Sequence, residues 1–301
     1  MLTIFTIPRY FRGHFGVIQR NAIRSWSRLH PKCEILLLGN DEGTAEMALE
    51  LKISHVKDIA CNEFGTPLIN SAFEAAQNIS KHRIVAYVNA DIILMSDFME
   101  AVQKVKRPSF LMVGERCDTN INFELDFTER NWESQLRAAA RRGIFHGKGG
   151  IDYFVFNKGL FRNIPPFAIG RTTWDNWLVY RARALGVPVI DAIGAILAIH
   201  QNHDYSHCLI KEGGAWKGPE AKRNFELTGG SKYHFDIGDV TYTLGKNGPK
   251  PALGLAHIWR RLYRLDVFYP SLVWLRHLLD FVLRISRSLR EGPVPKKTVV
   301  R

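Results

Sequence analysis

Arg83-Ile84-Val85-Ala86-Tyr87-Val88-Asn89-Ala90-Asp91-Ile92-Ile93-Leu94 is the stretch that decides the fold. Arg83–Val88 is a short, mostly apolar run cut off by a polar triplet, the pattern of a buried strand. Asp91 then sets a carboxylate between two apolar segments, where an unpaired charge is costly. Two readings meet that cost. Asp91 caps the following helix or pairs with an arginine, or it ligates a divalent cation. Mg²⁺ typically takes one or two carboxylates and completes its shell with phosphate oxygens and water.

Working outward, the flanking sequence alternates apolar runs with helical patterns. Leu2–Ile7, Glu34–Leu38, Ile53–Val56 and Phe110–Gly114 read as strands. Val17–Leu29, Thr44–Leu51, Pro67–Ile79 and Asp97–Val105 read as helices, with Pro67 in a first turn, where its missing N–H does no harm. Strands separated by helices imply βαβ units, hence an α/β fold with a mostly parallel central sheet flanked by helices. The middle is less regular. Trp132–Arg142 looks helical, His146–Gly150 is glycine-rich, and Ile151–Phe156 is an apolar strand. Trp174–Leu185 is a helix closed by Gly186, and Val187–Ile190 and Ala195–Ile199 are apolar runs. Glycine, lysine and asparagine dominate from Lys211 to Pro251, which reads as loops with one or two weak strands. No internal repeat is present.

Beyond Leu253 the character changes. Ile258, Leu262, Leu265, Tyr269, Leu272, Leu275, Leu279, Val282, Ile285 and Leu289 recur every three or four residues, one apolar stripe broken near Pro270, with arginines opposite. The formal net charge is +12, and the stretch from His257 to Arg301 carries +7 of it. Charge concentrated in one amphipathic tail points to a membrane surface or a packing partner, and away from nucleic acid. The remaining composition, 46% hydrophobic and 23% charged, excludes a mainly disordered or fibrous chain.

The four cysteines, Cys33, Cys61, Cys117 and Cys208, are widely spaced and form no C-x-x-C pair. That pattern is neither a disulfide framework nor a zinc site. Met1–Pro8 is too short for a signal peptide, and no run reaches the roughly 20 apolar residues that span a bilayer. The expected location is the cytoplasm, with the tail as a means of attachment to the inner face of the cell membrane.

In an open α/β sheet, ligands bind beyond the carboxyl ends of the strands. Thr6, Pro8 and Arg9 lie at the first such end, Gly39-Asn40-Asp41 at the second, and Asn89-Ala90-Asp91 at the fourth. Together they offer polar groups to a base, a ribose and a diphosphate.

Several of these segments, in this order, resemble the bacterial GT-A glycosyltransferases, family 2-like members of the nucleotide-diphospho-sugar transferases. Asn89-Ala90-Asp91 resembles their D-x-D element, and Gly65-Thr66-Pro67-Leu68-Ile69-Asn70 their donor-side loop and helix. Gly149-Gly150-Ile151-Asp152 is similar to their acceptor loop, Trp174-Asp175-Asn176-Trp177 to the acidic motif opening the catalytic helix, and His200-Gln201-Asn202-His203 to the late histidine that reaches the metal. The resemblance covers about residues 1–210. It departs from the pattern at Asn89, which leaves Asp91 as the single carboxylate of the triplet. It implies a Rossmann-like GT-A catalytic domain over 1–253, with a donor half 1–115 and an acceptor half 116–253, followed by the tail 254–301.

The resemblance further implies roles. Thr6, Pro8, Arg9, Arg20, Asp41, Asn70, Asn89, Ala90 and Asp91 would bind a nucleotide-sugar donor. Gly149, Gly150, Trp174 and Trp177 would meet a glycan or lipid-linked acceptor. Asp91 with His200, and His203 second, would hold Mn²⁺ or Mg²⁺, imidazole favouring manganese. Charge growing on the departing diphosphate suits a cation bridged by Asp91, with help from Arg9 or Arg20. Asp175 would take the proton of the acceptor hydroxyl in an inverting reaction, with Asp152 as runner-up. As a bare feature Asp175 also reads as a carboxylate stabilised at a helix start, and Arg9 and Arg20 as surface arginines. A nucleotidyltransferase fits less well, since Pro8-Arg9-Tyr10-Phe11-Arg12-Gly13 lacks a G-x-G-x-R loop. A dehydrogenase lacks its G-x-G-x-x-G. Asn89 keeps open a non-catalytic nucleotide- or glycan-binding protein.

Overall fold

Four parallel strands open the fold. The computed structural model describes residues 1–203 and 214–291. β1 (Leu2–Thr6), β2 (Glu34–Leu38), β3 (Ser54–Val56) and β4 (Ile84–Val88) lie in the order β3-β2-β1-β4. α1 (Gly13–Ser27), α2 (Thr44–Leu51) and α3 (Ile69–Ile79) connect them. The register is continuous, Phe5 lying against Leu36 on one side and Tyr87 on the other. Their carboxyl ends therefore emerge along one edge. β1 is buried at every position and β4 at all but Ile84, as near-continuous apolar runs require when both faces are covered.

The chain continues through β5 (Ile92–Ile93), α4 (Ser96–Lys104), β6 (Leu111–Thr119), α5 (Trp132–Ala140), β7 (Ile144–Phe145), β8 (Ile151–Asn157), α6 (Trp174–Ala184), β9 (Val189–Asp191) and β10 (Ala198–Gln201). α7 (Pro219–Thr228) and the hairpin β11 (Tyr242–Gly245) and β12 (Gly248–Pro251) follow. The main sheet runs β12-β11-β9-β6-β8-β4-β1-β2-β3. It is an α/β fold with a mostly parallel sheet, interrupted by β8, which is antiparallel to both β4 and β6.

β6 serves two sheets. Leu111–Val113 pairs with β8 and β9, the register shifts between Val113 and Glu115, and Arg116–Thr119 pairs with β10. The shift falls at Gly114, where a Cβ would stand 1.9 Å from the Tyr153 hydroxyl, so no larger residue fits without movement. Beyond it, β5, β10, β6 and β7 form a small ladder projecting from the main sheet. A helix, α7, occupies part of the stretch expected to be loops. Its signals are Pro219 in the first turn and Gly229 at φ +83° after the last residue.

The chain divides into two compact units, Met1–Ala252 and Leu253–Arg301. The second consists of α8 (Leu255–Tyr263), α9 (Leu265–Phe268) and α10 (Val273–Glu291). Within it, Arg276 bonds Asp266 at 3.1 Å and lies over the Tyr263 ring. No described helix is long and apolar enough to cross a membrane.

Candidate active site

β4 ends at Val88, and the next three residues are fixed from several directions. The Asn89 backbone N–H donates to the Asp152 carbonyl at 2.9 Å, and its side-chain amide donates to Asp152 Oδ1. Trp26 Nε1 on α1 donates to the Ile92 carbonyl at 2.9 Å, and Gln201 Nε2 donates to the Asp91 carbonyl at 3.1 Å. Asn21 Nδ2 in turn donates to Gln201 Oε1. The apolar run after Asp91 is thus an anchored two-residue strand, pairing Ile92 with His200.

That pairing brings the two histidines to Asp91. His200 Nε2 lies 3.5 Å and His203 Nε2 3.2 Å from Asp91 Oδ2. Ligand atoms of the three residues fall within 4.8 Å of one another, a geometry that can hold a metal ion. Burial by itself raises the Asp91 carboxyl, but the neighbouring His200 and His203 rings hold it well below the usual carboxylate range. Conversely, burial lowers His200, and the Asp91 carboxylate raises it above its ordinary value. Asp91 Oδ1 is shut from solvent with no hydrogen-bond partner among the described residues. His207, a third histidine after the same apolar run, lies outside the described residues, as does Cys208.

Asp152 and Asp175 prove to be different in kind. Asp152 is buried, with Oδ1 accepting from Asn89 and Oδ2 3.1 Å from Arg116 Nη1. Both its oxygens are engaged, and through them it braces Asn89 and Arg116. Asp175, in the first turn of α6, has an Oδ1 that is shut from solvent and makes no hydrogen bond among the described residues. Burial first, and then the charge of Asp152, push its carboxyl up to about 6 against backbone N–H groups that pull it down. The residue before the helix, Thr173, sits at φ +84°. A β-branched residue is strained there by on the order of 1–3 kcal/mol.

The tryptophans flanking Asp175 pack into the core. Trp174 is 6% exposed and meets Tyr87 edge-on at 5.4 Å, while Trp177 is 8% exposed and packs on Phe167 at 5.5 Å. Gly150 is tucked against His146, where a Cβ would stand 2.8 Å from that ring, whereas Gly149 borders open space.

Near the end of β1, Arg9 lies over the Phe15 ring at 5.0 Å, and Phe15 in turn contacts His203 at 5.2 Å. The Arg9 charge lowers Asp41, whose partial burial, the larger effect, leaves the carboxyl raised. Arg20 does not join them as a free cation, because its Nε is 3.1 Å from Glu124. Thr6 and Asn70 each keep a buried oxygen with no hydrogen-bond partner among the described residues, Pro8 is buried, and Ala90 is partly exposed. The sequence reading missed Asp118, Arg116, His146 and Gln201. Their common signal is position on or beside β6, β7 and β10, visible only once those strands are paired.

No family model matches the chain, and no curated protein matches it. Among solved structures it is similar to a mannosyltransferase from Pyrobaculum calidifontis in complex with GDP-Man and Mn²⁺, at 14% identity over 75% of this chain and 68% of that one, TM-score 0.43. It is also similar to GalNAc-T7 with UDP, GalNAc and Mn²⁺ (13%, 76% and 48%, TM-score 0.48) and to residues 1–349 of TarS from S. aureus (8%, 67% and 58%, TM-score 0.42). The chain therefore spans about half the length of GalNAc-T7 and 58% of the TarS chain. Likenesses this remote carry nothing about what the chain binds, and its chemistry has to come from the side chains above.

Proposed function

We propose that the chain is a glycosyltransferase that moves a sugar from a nucleotide-diphosphate sugar to a glycan or lipid-linked acceptor. The observation that carries this is the convergence of Asp91, His200 and His203 just past β4, where three strand ends open together. One carboxylate and two imidazoles suit a transition-metal cation such as Mn²⁺ better than Mg²⁺, and the orphaned Asp91 Oδ1 is an acceptor awaiting a partner. A divalent cation bound there supplies positive charge to a departing diphosphate.

The chain's own groups do the rest. Arg9 brings a fixed positive charge to the same edge. Asn89, held by Asp152, presents a polar group beside Asp91 without adding charge. The Asp175 carboxylate takes the proton of the attacking acceptor hydroxyl, its raised pKa making it a stronger base than an exposed carboxylate. The Gly149 side of the 146–150 loop borders the space an acceptor would use.

The second unit extends the proposal to a membrane surface as partner. Leu255, Ile258, Trp259 and Leu262 on α8, and Trp274, Leu278, Phe281 and Val282 on α10, are all exposed and spaced as helix stripes. Exposed tryptophans in a strongly basic segment match the interface of anionic lipids, where a lipid-linked acceptor also resides.

The test is thermal stabilisation by UDP-, GDP-, dTDP- and CMP-sugars with and without Mn²⁺. One nucleotide-diphosphate sugar is expected to raise Tm only with Mn²⁺, and Asp91→Ala is expected to abolish the effect. Stabilisation by none of them, or stabilisation indifferent to Asp91, overturns the reading. A response to the CMP-sugar alone overturns the diphosphate part.

A further inference from the structure

The small ladder lines up four titratable side chains, one from each strand or its end. Asp91 precedes β5, His200 is on β10, Asp118 is on β6, and His146 follows β7. His200 is in register with Ile92 on one side and Asp118 on the other, and Asp118 with Ile144. Carboxylate and imidazole alternate along this row. Asp91 Oδ2 is 3.5 Å from His200 Nε2, His200 Nδ1 is 2.8 Å from Asp118 Oδ1, and Asp118 Oδ2 is 2.9 Å from His146 Nδ1.

His200 is 3% exposed, so the two carboxylates facing its ring nitrogens decide its state. A bare nitrogen lone pair facing a carboxylate oxygen at 2.8 Å would be repelled, so Nδ1 carries a hydrogen, although the contact is off the ideal hydrogen-bond line. In the neutral ring, Nε2 then keeps the lone pair on the side of Asp91 and His203. Asp118 has no oxygen left to ligate with them. Oδ1 also meets Arg116 Nε at 2.9 Å and Oδ2 meets His146, so it stands outside the convergent group.

We propose that Asp118 is a positioning residue that fixes the tautomer and orientation of His200 as a metal ligand. This rests on reading Asp91, His200 and His203 as a cation site. Outer carboxylates on ligating histidines typically change metal affinity by about 10- to 100-fold. Arg116, which bonds both Asp118 and Asp152, joins this support to the one that holds Asn89.

The experiment measures Mn²⁺ affinity of the full chain by the electron paramagnetic resonance of free Mn²⁺, with no nucleotide present. Asp118→Ala is expected to weaken binding by about 10- to 100-fold. Asp118→Asn, which keeps an acceptor of similar shape, is expected to lose about threefold or more on the same grounds and guards against a folding defect in the alanine variant. In a His200→Ala background, Asp118→Ala is expected to change affinity by less than about twofold, because it acts through that ring. Unchanged Mn²⁺ affinity in both single variants overturns the proposal. So does an equal loss with and without His200, which is the mark of a merely structural role. If the unaltered chain binds no Mn²⁺, the cation site itself is wrong, which is a separate result.

Discussion

In the proposed reaction, Asp175 is the group most sensitive to pH. Its carboxyl is raised to about 6 chiefly because burial disfavours the charged form. A base must be deprotonated, so turnover is expected to rise as pH climbs through about 6 and level off above it. Stability runs the other way. The folded state holds this proton between the unfolded value near 3.9 and about 6, so unfolding free energy falls as pH rises through that window. Asp175→Asn is therefore expected to remove nearly all turnover, with donor-induced stabilisation retained. It is also expected to gain ~1–3 kcal/mol of stability above pH 6 relative to the parent. Rate–pH profiles and denaturant midpoints at pH 5 and 8 check both arms. A variant that keeps its rate, or loses donor binding with it, removes Asp175 from the role of base.

At the scale of elements, the join between the main sheet and the small ladder is the vulnerable point. Tyr153 on β8 keeps a buried hydroxyl with no hydrogen-bond partner among the described residues, directly under Gly114 on β6. Leaving such a group unsatisfied costs about 1–3 kcal/mol. Tyr153→Phe is expected to be neutral or to stabilise by up to that amount. Gly114→Ala is expected to destabilise by ~1–3 kcal/mol through overpacking, and Tyr153→Phe is expected to restore part of it in the double variant, since it removes the oxygen at 1.9 Å but keeps the ring carbon at 2.8 Å. Urea midpoints of the four proteins close the cycle. Additive effects would mean that the two residues do not share the strain. This join also marks where the sequence stops being readable. β1 to β4 were legible because each is an apolar run with its own turn signals, and Asp91 was legible as the carboxylate at the end of one. The antiparallel insertion of β8 was not, because an apolar run has no direction. Asp118, His146 and Gln201 were hidden for a related reason. Their partners lie between 28 and 180 residues away, and only cross-strand register brings them together. The burial of Trp174 and Trp177 was not legible either, because an aromatic beside a carboxylate looks alike whether it faces solvent or core.

For the whole molecule, the uneven charge becomes a statement about where the chain works. Ten lysines and arginines against three acids from His257 onward give +7 of the total +12. The helices of that unit expose an apolar stripe in which Trp259, Trp274 and Phe281 are 36%, 59% and 60% accessible. Burying one such side chain is worth about 1.5–3 kcal/mol, and each basic residue near an anionic lipid surface adds about 1 kcal/mol. The two contributions have different signatures. Vesicles containing phosphatidylglycerol are expected to retain the chain at low salt and release most of it as salt rises, since screening weakens only the second. Trp259→Ser, Trp274→Ser and Phe281→Ser combined are expected to lower retention at least about tenfold at every salt concentration, given the area withdrawn from lipid. The donor-induced Tm shift should stay unchanged, because none of the three belongs to the unit that carries Asp91. Equal retention on vesicles of phosphatidylcholine alone would make the basic residues irrelevant. Self-association in the absence of vesicles, lost in the same triple variant, would identify the stripe as a contact between copies of the chain and would overturn the membrane assignment.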